Sequence, residues 1–187
     1  MTLFPSVAAF EAALAKLPHP NEDARQAAVA RQAQLTKPLG SLGCLEDIAL
    51  FFAAWQGRER PRLDQARMAI FAGNHGVASH GISAFPVSVT AAMVQNFDQG
   101  GAAINALCEA AGLELKIAAI ELDRPTANFT LAPAMSCTEC LDALNIGASM
   151  VTDDLDLIAL GEMGIGNSTA GAALAARSFG GAAAQWV

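Results

Sequence analysis

A repeated alternation of short apolar runs with helix-patterned stretches constrains this chain more than any other feature. Met68 to Ala72 is apolar and runs into Gly73-Asn74-His75-Gly76. Leu115 to Ile120 is a second such run, and Leu155 to Leu160 a third, entering Gly161-Glu162-Met163-Gly164-Ile165-Gly166. Runs of this length bounded by turn residues read as buried strands. Between them, Pro86 to Phe97 and Ala102 to Ala111 read as helices, the second closed by Gly112. Ser136 and Glu139 form a capping-box pattern opening a helix with Leu141, Leu144, Ala148 and Val151 on one face, and an Ala-rich helix follows from Asn167. This order predicts an α/β fold, a Rossmann-like doubly wound, mostly parallel sheet. Three strands are few for it, and Gly180 to Val187 stands where a further loop and strand would be natural, so the fold reads as truncated.

Ahead of the first apolar run the pattern is helical. Residues 5–35 are Ala-rich and interrupted by Pro18-His19-Pro20; Asn21 then caps a helix carrying Glu22 and Asp23 in its first turn. Thr36 to Gly43 is a loop, and Leu45 to Trp55 repeats apolar residues at helical spacing. The charged stretch Gly57 to Gln65 is a junction. The expected organisation is a helical N-terminal layer over residues 1–60 and an α/β domain over 61–187.

With 53% hydrophobic and 16% charged residues, the 187-residue chain can bury a core. A net charge of −7 argues against nonspecific nucleic-acid binding. It leaves anionic small ligands open, since backbone N–H groups alone build a phosphate site. Met1-Thr2-Leu3-Phe4-Pro5 is no secretory signal and no apolar run is long enough for a membrane span, so a soluble cytoplasmic protein is expected. Cys137-Thr138-Glu139-Cys140 is formally C-x-x-C, but no second pair or close His pair completes a zinc site, and the plain reading is two thiols near a helix start.

The strongest chemical signal is Gly161 to Thr169. An apolar strand stops, glycines turn the chain, and Asn167, Ser168 and Thr169 open a helix. Free N–H groups and the helix dipole favour a phosphate there. A turn that is merely sterically necessary fits the same residues. Glu162, inside this turn on the sequence pattern, either serves a cationic group beside the phosphate or only complements the helix dipole. Asn74 and His75 sit at a strand end suited to a ligand loop, although a hydrogen-bonded structural His75 is the simpler reading. Phe85 and Met93 could wall an aromatic pocket or lie in the core, and Lys37 could meet a phosphate or a partner or be solvated.

These segments occur in an order that resembles the nicotinate-nucleotide–dimethylbenzimidazole phosphoribosyltransferases. The resemblance is carried by LTKPLGSLGCLE at 35–46, FAGNHGV at 71–77, GISAFPVSVTAAMV at 81–94, GGAAINAL at 100–107 and GEMGIGNST at 161–169. It implies transfer of the phosphoribosyl group of nicotinate mononucleotide to 5,6-dimethylbenzimidazole by a homodimer, with no metal and no cofactor. By the same resemblance Gly164, Gly166, Asn167, Ser168 and Thr169 hold the nucleotide phosphate and Glu162 lies near the ribose. Phe85 and Met93 line the benzimidazole pocket, and Asn74 and His75 shape the floor. The family's R-L-G-E-G-S-G-type segment, whose glutamate is the proposed general base, is absent from these residues. A noncatalytic nucleotide-binding fragment and an interaction subunit therefore stand as alternatives.

Overall fold

The computed structural model describes residues 3–186. It divides into two compact units, one formed by Ala8–Asp64 and the other by the residues from Gln65 onward together with the first few through Val7.

The first unit is helical. After α1 (Val7–Leu14), α2 (Glu22–Gln32) packs against α3 (Cys44–Gln56). The expected Asn21 cap is present, its side chain accepting from Ala24 N–H at 2.9 Å. The α2–α3 contact is made by small residues. Ala28, Ala53 and Ala54 are buried, which lets the backbones approach, and Asn21 N–H donates to Ala54 O at 2.8 Å. Lys37 is not solvated: it pairs with Glu46 at 2.6 Å, with both side chains largely covered. That bond, with the Leu42 N–H, holds the Glu46 carboxyl below its usual range.

The second unit is α/β. Strands β1 (Ala66–Ala72), β2 (Glu114–Ala119) and β3 (Leu157–Met163) form a parallel sheet in the order β2-β1-β3. Parallel neighbours need crossover connections. α4 (Ser88–Asp98) and α5 (Ala103–Ala111) lie in the chain between β1 and β2. α6 (Cys137–Ser149) lies between β2 and β3, and α7 (Asn167–Phe179) follows β3. Ala69, Ile70 and Ala72 of β1 are buried, as the central strand of such a sheet must be. Val77, Phe97, Cys108, Ala118 and Ile165 are buried with them.

Several boundaries differ from expectation. β3 begins at Leu157 and continues through Met163, so Gly161, Glu162 and Met163 are strand residues rather than turn residues. α4 starts at Ser88, two residues after Pro86, whose carbonyl closes a tight turn with Val89 N–H at 3.0 Å. α6 ends at Ser149, leaving Val151 beyond it and exposed. The Ser136 capping box forms as predicted: Ser136 Oγ accepts from Glu139 N–H at 3.3 Å, and Glu139 Oε2 accepts from Ser136 N–H at 2.8 Å.

Candidate active site

In a parallel sheet ordered β2-β1-β3, the chain leaves β1 toward one side and returns from β2 to the other. The carboxyl ends of β1 and β3 therefore flank the point where the winding reverses, the place where such sheets bind ligands. Both glycine-bearing loops lie there. Gly73 N–H donates to Met163 O at 3.0 Å and His75 N–H to Ile165 O at 3.3 Å, so the loop after β1 is bonded to the loop after β3.

The fit is close. A Cβ added at Gly164 would lie 1.8 Å from Gly73 O, which no side chain can satisfy. Gly164, Ile165 and Gly166 are buried, and Gly166 caps α7 with φ 91°. The loop after β1 is pinned from behind. Asn74 is buried, and its Nδ2 donates to Leu122 O at 2.9 Å. Its own carbonyl accepts from Thr126 N–H at 3.1 Å, and His75 bridges Thr126. Thr90 on α4, wholly buried, donates its hydroxyl to Asn74 Oδ1 at 2.6 Å and accepts from Ile165 N–H at 3.2 Å.

Glu162, the penultimate residue of β3, is exposed and accepts from Asn167 Nδ2 at 2.5 Å. Asn167 Oδ1 in turn accepts from Ser168 N–H at 2.8 Å, so one donor of the α7 first turn is already engaged. His75 is half-buried. Burial pushes its imidazole below the usual value and the Glu162 carboxylate partly offsets this. The result is an imidazole whose protonated form burial disfavours, with Glu162 near it, beside a glycine turn that starts a helix. Such an arrangement can receive an anionic group at the helix start and stabilise positive charge next to it.

Of the residues singled out from sequence, Asn74, His75, Glu162, Gly164, Gly166 and Asn167 come together here through these bonds and contacts. Ser168 and Thr169 lie in the first turn of α7. Met93 is half-buried one turn along α4 from Thr90. Phe85 precedes α4 and is 65% exposed, its N–H donating to Ser83 Oγ at 3.2 Å, so it is not a core residue. Sequence reasoning missed Thr90 and Thr126. A hydroxyl among the apolar residues of α4 was the available signal, but its partners lie 16 and 75 residues away.

A family model described as a phosphoribosyltransferase matches residues 17–187. A nicotinate-nucleotide–dimethylbenzimidazole phosphoribosyltransferase of Novosphingobium aromaticivorans is 65% identical over 186 residues, covering 100% of this chain and 55% of the relative. One of the same name from Cereibacter sphaeroides is 52% identical over 183 residues, covering 98% of this chain and 54% of the relative. The crystal structure of the nicotinate-nucleotide–dimethylbenzimidazole phosphoribosyltransferase from Thermus thermophilus superposes with a TM-score of 0.80 at 37% identity, over 86% of this chain and 54% of that one. The chain thus spans about half the length of the curated relatives it matches. By the match over most of its length, the chain belongs to the phosphoribosyltransferase family of the nicotinate-nucleotide–dimethylbenzimidazole enzymes.

Proposed function

We propose that the protein transfers the phosphoribosyl group of nicotinate mononucleotide to 5,6-dimethylbenzimidazole, giving α-ribazole 5′-phosphate and nicotinate. The observation that supports this reading is the bonding of the Gly164–Gly166 turn to the Asn74–His75 loop at the carboxyl end of the sheet, with Glu162 beside it. The phosphate is held at the start of α7 by Gly164, Gly166, Asn167, Ser168 and Thr169. Glu162 faces the ribose, where positive charge grows as the C1′–pyridinium bond lengthens. Asn74 and His75 form the floor, and Phe85 and Met93 contact the benzimidazole.

A benzimidazole nitrogen forms the new bond to C1′ from the face opposite the pyridinium, inverting the anomeric centre. The pyridinium takes the bonding pair and leaves as a neutral ring, without needing a proton. The benzimidazole N–H proton passes to a base, and these 187 residues offer no counterpart of the family's glutamate segment for that step. Most of the chain's contribution is then positioning and electrostatics. The same reading assigns 1–60 to a helical region, 61–187 to the N-terminal part of the phosphoribosyltransferase domain, and the working form to a homodimer.

A second reading is a nucleotide-binding module without turnover, favoured by the glycine turn at the start of α7, which can receive a phosphate without any base. Both readings are tested with the purified chain by measuring nicotinate release and, by calorimetry, nicotinate mononucleotide binding, each against Glu162→Gln. Turnover that falls in the variant supports transfer. Binding without turnover supports the module. A folded chain that neither binds nor turns over the nucleotide overturns both.

A further inference from the structure

We propose that Cys137 and Cys140 form a reversible thiol–disulfide pair, a modification site independent of the transfer reaction. Cys137 is the first residue of α6 and Cys140 lies three residues on; both are exposed free thiols. Helix geometry places residues so spaced about 5 Å apart at Cα, inside the range of roughly 4.4–6.8 Å found across disulfides. Their Cβ atoms stand about 5–6 Å apart on a regular helix, so closing the bond requires the turn to tighten by roughly 1–2 Å.

The first turn is where a helix can do this. Its leading N–H groups have no carbonyl partner four residues back, so tightening breaks few bonds. Here Cys140 N–H makes a 3.0 Å bond to Ser136 O, while Cys137 adjoins non-helical Ser136. The turn is nonetheless ordered. Ser136 and Glu139 hold it through the capping box, and Glu139 Oε1 meets Arg124 Nη1 at 3.1 Å. Both thiols are thus presented on one short segment held in helical register, which favours closure on each other over reaction with separate molecules. Exposed pairs of this kind, with a second thiol in reach, are the labile and reversible ones.

The oxidant is a low-molecular-weight disulfide such as oxidised glutathione. One cysteine sulfur attacks it, the glutathione S–S bond breaks, and one glutathione thiol departs, the cysteine's proton ending on it. The other cysteine then attacks the mixed disulfide and releases the second glutathione thiol. Two protein thiols lose two electrons and two protons, and one small disulfide becomes two thiols. The other cysteines provide internal comparisons. Cys44 is exposed but has no cysteine three residues away, so its reaction stops at the mixed disulfide. Cys108 is buried.

The test equilibrates the folded chain in glutathione buffers of rising oxidised fraction, blocks remaining thiols by alkylation, and maps peptides by mass. The expected result is a Cys137–Cys140 peptide lighter by the mass of two hydrogens, restored by a dithiol reductant, at ratios that place a glutathione on Cys44. In Cys137→Ser, Cys140 is expected to carry a glutathione adduct instead. Persistent thiols or separate glutathione adducts at 137 and 140 under those conditions overturn the proposal. So does a crosslink that appears only in urea-unfolded chain, with circular dichroism reporting the fold.

Discussion

The Thr90 hydroxyl donates to Asn74 Oδ1 at 2.6 Å and accepts from Ile165 N–H at 3.2 Å, so one wholly buried oxygen joins the loop after β1 to the loop after β3. Thr90→Val keeps the shape and removes the joint, leaving a buried amide oxygen and a buried N–H without this partner. A loss of about 2–4 kcal/mol of stability is expected from two unsatisfied groups. Thr90→Ser keeps the hydroxyl and gives up one methyl, a loss of about 1 kcal/mol. Urea unfolding of the variants checks this, and equal losses in the two would show that the hydroxyl's bonds are not what matters.

Two glycines on either side of the α7 start should respond in opposite directions to the same change. Gly164→Ala drives a methyl into Gly73 O, a backbone atom, so one loop must move; a loss of about 1–3 kcal/mol or more is expected. Nucleotide binding should fall with it. Gly171 lies inside α7 with nothing within 4 Å of an added Cβ, and Gly171→Ala should stabilise by about 0.5–1 kcal/mol through helix propensity alone. Thermal unfolding of the two variants is the measurement, and a stabilised Gly164→Ala would contradict the packing described for the loops.

The half-buried His75 makes acid sensitivity predictable in sign. Its folded-state value lies below the ordinary 6.5 because burial disfavours the imidazolium, with Glu162 opposing the shift. On acidification the unfolded chain takes up the proton first. This share of stability is intact above the unfolded value near 6.5 and is lost as pH falls through the depressed folded value. Glu162→Gln removes the opposing charge, so the His75 midpoint should move further down. NMR titration of the imidazole reads this directly, and an upward movement would mean that Glu162 does not act on His75 as described.

Much of this arrangement was legible in the chain because local signals agreed with the fold. Asn21 and the Ser136–Glu139 pair carry their own capping chemistry, and the β1 run is apolar because its strand is the covered centre of the sheet, whereas β2, at the edge, alternates with Glu114, Lys116 and Ala119 exposed. The end of β3 departs from the sequence pattern for a physical reason. Gly161 resembles a turn residue, yet it sits in register with Ile70, and a Cβ there would come within 3.2 Å of Ile70 Cγ1. That glycine makes room for the central strand rather than bending the chain, and it carries Glu162 onto β3. Thr90 was invisible as a joint because hydrogen bonds spanning 16 and 75 residues leave no periodic trace.

The contact between Gly164 and Gly73 leaves the two loops no slack. Moving either loop apart from the other breaks the Gly73 N–H to Met163 O and His75 N–H to Ile165 O bonds, and Thr90 ties both to α4. A ligand arriving at the start of α7 therefore meets a surface whose conformational entropy was surrendered during folding. Little further ordering is demanded of these loops on binding, so more of each new contact is retained as affinity.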